Sequence, residues 1–181
     1  MRLRAPLDVF IVRKLGVPED EELAMGAVAS GGVRVLNEPL VEALQITNTT
    51  IAAVTARELD ELERRERAYR GDLPPLELTE RTVILVDDGL ATGSTMNAAI
   101  LGVRQRGPRR VIVGVPIAAP STCAELSVLV DDMVCASTPE FFTAVGNWYA
   151  NFEQTTDTEV RTLLDAARAD AEWRRAPLTN V

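Results

Sequence analysis

The apolar positions along this chain change period several times, and the changes mark its elements. Residues 7–12 (Leu-Asp-Val-Phe-Ile-Val) and 83–86 (Val-Ile-Leu-Val) are short apolar runs rich in β-branched residues. Such runs suit strands of a parallel sheet buried on both faces. Residues 111–117, broken near the end by Pro116, and residues 132–136 read the same way. Between them the period turns helical. Met96, Ala99, Ile100 and Val103 fall on one face of a helix that stops at Gly107-Pro108. Ile51, Val54, Leu59 and Leu62 mark a longer helix, capped by Thr47 or Asn48, running to about Tyr69 and ended by Gly71 and Pro74-Pro75. Residues 39–44 predict a helical turn, residues 120–129 a helix, and residues 157–173 a closing amphipathic helix capped by Thr156 or Asp157, with a frayed tail over 174–181. Residues 23–29 and 33–36 flank Ser30-Gly31-Gly32, a hairpin signal. Residues 16–22, with Pro18 and an acidic run, read as a loop or helix start, and the alternating charges of residues 58–70 as a solvated, ion-paired helix face.

Strands that alternate with helices predict an α/β fold, a parallel sheet flanked by helices with right-handed crossovers. No linker divides the 181 residues, so a single domain over 1–181 is expected. The hydrophobic content of 46% fits an ordinary globular core. A net charge of −8 argues against nucleic acid and against a polybasic membrane contact, and requires any anionic ligand to be held by local donors and a metal. The absence of histidine removes Ser-His-Asp and Cys-His catalysis and the usual zinc sites. Cys123 and Cys135 lack metal-ligand spacing and read as two small buried hydrophobes in a reducing compartment. With no signal peptide and no apolar run of membrane-spanning length, the cytoplasm is the expected location.

The candidate chemistry concentrates in residues 83–95. Asp87 and Asp88 sit at the carboxyl end of the apolar run, and a loop of small residues follows: Gly89-Leu-Ala-Thr-Gly-Ser-Thr95. Such a loop leaves its backbone N–H groups uncovered, and the next helix adds its own unpaired amides and the positive end of its dipole, which makes a phosphate site. The hydroxyls of Thr92, Ser94 and Thr95 supply further donors. Two adjacent carboxylates upstream can accept from a vicinal diol or hold a hydrated divalent cation. A ligand with a phosphate at one end and hydroxyls beside it, such as a ribose 5-phosphate, meets both requirements. Arg13 and Lys14 end the first apolar run, where open α/β sheets place ligands. They either bind pyrophosphate or form a solvated strand end, and the phosphate loop downstream favours the first.

Residues 83–95 resemble the phosphoribosyl pyrophosphate (PRPP) signature of type I phosphoribosyltransferases: four apolar residues, two acids, two mostly apolar residues and a Thr-Gly-x-Thr loop. The resemblance implies that Asp87 and Asp88 hold the ribose hydroxyls and that Ala91, Thr92, Gly93, Ser94 and Thr95 wrap the 5-phosphate. Residues 12–36 and the stretch Val145-Gly-Asn-Trp-Tyr-Ala-Asn-Phe152 are similar to a bacterial subgroup of poorly defined substrate, so the resemblance covers nearly the whole chain. That subgroup usually opens with a helix and a strand ending in a Pro-Arg-Gly-Gly type loop that contacts pyrophosphate. Met1 lies only a few residues before what resembles the family's second strand, so an amino-terminally truncated domain is expected, with an exposed sheet edge and a homodimer. Purine-salvage members carry an acid where this chain has Ala91, so hypoxanthine and guanine lose support as acceptors and the orotate-type loop is the closer match.

The function this implies is Mg²⁺-dependent transfer of the 5-phosphoribosyl group of PRPP to a small nitrogenous acceptor, with release of pyrophosphate. The aromatic segment at residues 141–152 is then a candidate hood over the acceptor, with Trp148 or Tyr149 stacking on it; such aromatics beside a strand also serve as core. A non-catalytic module that binds PRPP or a nucleotide monophosphate is the alternative. A receiver-like domain would need an acidic pair after the first strand and a lysine after a late one. Arg13-Lys14 and the lysine-free stretch after residue 137 speak against that.

Overall fold

The computed structural model describes residues 5–18, 20–74 and 77–175. The element order is β1 (Val12–Val17), β2 (Asp20–Ala29), β3 (Val33–Leu36), α1 (Glu38–Ala43), α2 (Asn48–Arg70), β4 (Thr82–Val86), α3 (Ser94–Arg104), β5 (Arg110–Ile117), α4 (Pro120–Ser127), β6 (Asp132–Ser137), a 3-10 turn (Val145–Trp148) and α5 (Asp157–Arg175). It is a mixed α/β fold with two three-stranded sheets, an antiparallel one ordered β1-β2-β3 and a parallel one ordered β4-β5-β6.

The antiparallel sheet is more than the expected hairpin. Gly31 and Gly32, both at positive φ, do turn β2 into β3. The first strand, however, is shifted: β1 begins at Val12, where residues 7–12 were expected, and it pairs with β2 through to Val17↔Asp20. Residues 16–22 are therefore not a free loop; all but 18 and 19 lie in the two strands, and Glu19 lies outside the described residues. The reason is pairing. Residues 12–17 have a neighbour in β2, whereas in residues 7–11 the backbone of Ile11 bonds only to Ser30, its N–H donating to Ser30 Oγ at 2.9 Å and its carbonyl accepting from Ser30 N at 2.8 Å.

Two cores meet in this arrangement. Leu15, Met25 and Val28 pack with Ile51, Val54 and Leu62 of α2. Leu85, Val111, Val113 and Val115 pack with Met96, Ala99, Ile100 and Val103 of α3. α3 contacts all three antiparallel strands as well as β4 and β5, so it joins the two sheets. At Gly102 the approach is close: a Cβ there would stand 3.1 Å from Ala29 Cβ and 3.2 Å from the Phe10 ring.

The parallel sheet corrects a second expectation. β4 is not buried on both faces. Leu85 and its register partners Val113 and Met133 face α3, while Ile84, Val86 and Val134 on the opposite face are 39%, 74% and 54% exposed. Among the described residues β4 is also an edge strand with a ladder partner on one side only, and the face bearing Ile84, Val86 and Val134 is partly exposed, an arrangement parallel sheets normally avoid.

The long helix follows its signals: Thr47 Oγ1 accepts from Thr50 N at 3.2 Å as the N-cap, and Gly71 ends it at φ 57°. Arg174 and Arg175 still belong to α5, and the rest of the expected tail lies outside the described residues. The cysteines are a third correction. Cys123 on α4 and Cys135 on β6 are half-buried and joined by a disulfide, so they are not two free thiols and lend no support to a reducing compartment.

Candidate active site

The site begins where β4 runs out of partners. Beyond Val86 the chain leaves the ladder for three residues and rejoins it at Leu90, whose N–H donates to Ile117 O at 3.0 Å and whose carbonyl accepts from Ala119 N at 2.9 Å. Asp87, Asp88 and Gly89 form the resulting arch. Asp87 Oδ1 accepts the amide of Asp88 at 3.0 Å. Burial pushes the Asp87 carboxyl above its ordinary range; the Asp88 amide opposes this, and the Asp88 charge adds to it. Asp88 is exposed.

The loop after Leu90 is held from below. Thr122 of α4 donates its hydroxyl to Ala91 O at 2.6 Å. Gly93, at φ 69°, turns the chain into α3, and a Cβ there would meet Thr122 Cγ2 at 2.6 Å and Leu126 Cδ1 at 3.0 Å. The left-handed conformation and the close approach both call for glycine. Thr92 and Ser94 hydroxyls lie 3.2 Å apart, and Ala91, Thr92, Ser94 and Thr95 are exposed. No described side chain caps α3, which leaves its first-turn amides available to an external acceptor.

The cationic pair arrives from the other sheet. Arg13, Lys14 and Thr95 line one cavity of about 270 Å³, with Arg57 and Glu58 of α2. Two stretches more than 80 residues apart thus meet at the amino terminus of α3. Arg13 does not stand alone: its Nη2 and Nε lie 2.6 and 2.9 Å from Glu58 Oε2, and Arg57 Nε lies 3.1 Å from Glu58 Oε1. Glu58, in the stretch read as a solvated face, has a side chain only 8% exposed. The signal was present. Ile51, Val54, Glu58 and Leu62 are spaced as one helical stripe, and all four are buried.

The aromatic segment reaches the same arch. Tyr149 donates its hydroxyl to Asp88 O at 2.6 Å and packs on Phe152 with ring centroids 5.2 Å apart. Gly89 is pinched between Ile117 and Val145, where a Cβ would come within 2.7 Å of each. Tyr149 therefore holds the acidic arch in place, and Trp148 next to it, 48% exposed, presents an open ring. Among the described residues no group of three or more acidic, cysteine or histidine side chains forms a metal cage. Asp87 and Asp88 are the hard oxygen donors at hand, and a hydrated divalent ion suits them only if a ligand's phosphate oxygens complete its shell.

Comparison with known proteins settles the family. Residues 19–148 match the family described as "Phosphoribosyl transferase domain". The chain belongs to the phosphoribosyltransferase family. A Mycobacterium tuberculosis relative, Rv0571c, whose assignment as a phosphoribosyl transferase is itself provisional, is 44% identical over 93% of this chain, and the match spans 38% of that protein's length. The uracil phosphoribosyltransferase of Aeropyrum pernix is 31% identical over 70% of this chain and 64% of its own. Among solved structures, TT1426 of Thermus thermophilus superposes with a TM-score of 0.75 and 41% identity, covering 88% of this chain and 75% of that one. The matched region contains the acidic arch, the loop of residues 91–95 and α3, the parts from which a phosphoribosyltransferase reading of the sequence starts. No helix among the described residues is long and apolar enough to cross a membrane.

Proposed function

We propose that this phosphoribosyltransferase domain binds PRPP and transfers its 5-phosphoribosyl group to a small nitrogenous acceptor, releasing pyrophosphate. The observation that carries this reading is the shared cavity, which Arg13 and Lys14 line together with Thr95 in the first turn of α3, a helix with no side-chain cap. The loop amides and hydroxyls of residues 91–95 hold the 5-phosphate. Asp87 and Asp88 accept from the ribose hydroxyls, and Arg13 and Lys14 balance the charge of the diphosphate. Asp87, Asp88 and the diphosphate would together hold Mg²⁺, whose chemistry is further charge neutralisation on the leaving group. The acceptor nitrogen attacks C1 as the bond from C1 to the diphosphate oxygen breaks, so no covalent nucleophile on the protein is needed. The contribution of the chain is positioning and fixed charge.

The exposed ring of Trp148 is the stacking surface for the acceptor in this reading, and Tyr149, tied to Asp88, fixes the arch beneath it. Ala91 offers no carboxylate to a purine ring, and the Aeropyrum relative acts on uracil by its name, so pyrimidines come first in an acceptor screen. Pyrophosphate release from PRPP and Mg²⁺, measured across uracil, orotate, hypoxanthine and guanine, tests the activity. Release with a pyrimidine supports the reading. PRPP binding without release under any acceptor would instead make the domain a binding module. A homodimer belongs to the same proposal, motivated by the open edge of β4 and the bare face beside it.

A further inference from the structure

The short helix α4 buries Thr122 and Leu126, one turn apart on a single stripe. A threonine on such a stripe must find a partner for its hydroxyl. A helical threonine can return it to the carbonyl four residues back. Thr122 instead reaches out of its helix and donates to Ala91 O at 2.6 Å, 31 positions away in the chain. Its place is fixed at both ends. The chain enters α4 in register with the loop, since Leu90 bridges Ala118 and Ala119 N donates to Leu90 O at 2.9 Å. The residue after Thr122, Cys123, is joined to Cys135 of β6.

This one bond decides which way a peptide of the phosphate loop points. Among the described residues no peptide is cis. The C=O and N–H of the Ala91–Thr92 peptide therefore share a plane and point in opposite directions. With Ala91 O turned to α4, the Thr92 N–H is turned away from it. A flip of that peptide would offer an anion a carbonyl oxygen in place of an amide.

We propose that Thr122 is a positioning residue for the 5-phosphate: its hydroxyl holds the Thr92 N–H as a phosphate donor of the loop. The inference deepens the PRPP reading and rests on it. Thr122 is buried and touches no ligand. It acts through the peptide above it, so its effect falls on every ligand that carries the 5-phosphate.

Calorimetric titration of the wild-type protein, Thr122→Val and Thr122→Ser with ribose 5-phosphate and with Mg²⁺-PRPP tests this. Valine keeps the methyl that lies against Gly93 and removes the hydroxyl, and serine does the reverse. The expected loss for both ligands is about tenfold or more in Thr122→Val, the size of one hydrogen bond to a charged group, and less than about threefold in Thr122→Ser. A role in packing alone gives the opposite order, because serine leaves a gap that valine fills, and that order overturns the proposal. So do equal losses in the two variants. Because a buried variant could fail to fold, the wild type supplies a second test. Its Thr92 amide resonance is expected to move as ribose 5-phosphate saturates the protein, and a signal that stays in place while the ligand binds overturns the assignment. Wild-type binding of PRPP with Thr122→Val unaffected removes the positioning role and leaves the function standing. Ribose 5-phosphate binding that depends on the hydroxyl, without any PRPP binding, keeps the positioning role and removes the function. Failure of the wild type to bind either ligand removes both.

Discussion

At the scale of single residues, the two carboxylates of the arch stand in different surroundings. Asp88 is exposed and its carbonyl accepts from Tyr149; in the proposed reading its carboxylate meets a ribose hydroxyl. Asp88→Asn is expected to weaken PRPP binding at least tenfold, about 1.4 kcal/mol, and unchanged affinity in a titration would remove the ribose assignment. Asp87 carries a cost. Its pKa is raised above the ordinary 3.8, chiefly by burial. A raised pKa in the folded state means that the protonated form is favoured there. Stability from this group is present in acid, below the unfolded value, and is lost as pH rises through the folded value. Asp87→Asn keeps the acceptor for the Asp88 amide and removes the charge. The variant is therefore expected to melt higher than the wild type at neutral pH, to converge with it in acid, and to bind PRPP more weakly. A lower melting temperature at neutral pH would refute the burial argument.

The residues of the arch and loop were legible because they are contiguous. A candidate site with two acids at 87–88 and a phosphate loop at 91–95 needs only a strand end, small residues and a helix start, all of which stand in order in the sequence. Glu58 was not, because its burial depends on Arg13, 45 positions away, and its place inside a run of charges masked its place on the apolar stripe. The sequence offers Trp148 or Tyr149 as a stacking ring or as core; the hydroxyl bond from Tyr149 to Asp88 O depends on a fold-back of 61 residues that spacing does not reveal.

At the scale of elements, the loop is only as rigid as α4. Thr122 and Leu126 support Ala91 and Gly93, and the neighbouring Cys123 ties α4 to β6. Gly93→Ala puts a methyl into Thr122 at a left-handed φ, so it is expected to weaken PRPP binding far more than it lowers the melting temperature. The cross-link closes a separation of 12 residues. Its removal by Cys123→Ser with Cys135→Ser is expected to cost roughly 3 kcal/mol by chain entropy. That loss is read in a melt, which should match a melt of the wild type under reductant. Equal stability with and without reductant would show that the two sulfurs are not joined in solution. The elements themselves followed their periodic signals where a partner was near in sequence. They departed where pairing decided the bounds, as β1 moved to residues 12–17 to ladder with β2.

At the scale of the whole molecule, the two sheets share α3, and at its first turn Arg13 and Lys14 of the antiparallel sheet line one cavity with Thr95, which follows the acidic arch at the end of β4. The bare face of β4–β6 has a consequence for solution behaviour. Ile84, Val86 and Val134 leave apolar side chains in water. Concentration-dependent self-association is expected in sedimentation velocity, and Ile84→Thr with Val134→Thr is expected to reduce it while leaving the melting temperature nearly unchanged. A strictly monomeric wild type would contradict this.

The measurement that tests the central claim most directly is thermal unfolding with and without PRPP and Mg²⁺, alongside ribose 5-phosphate. Ligand at a hundredfold excess over Kd adds about 2.7 kcal/mol, which for a chain of this size is a rise of roughly 5–11 °C. A working site built from residues 87–95 predicts a rise with both ligands, larger with PRPP. A cooperative melt that neither ligand moves would contradict the account.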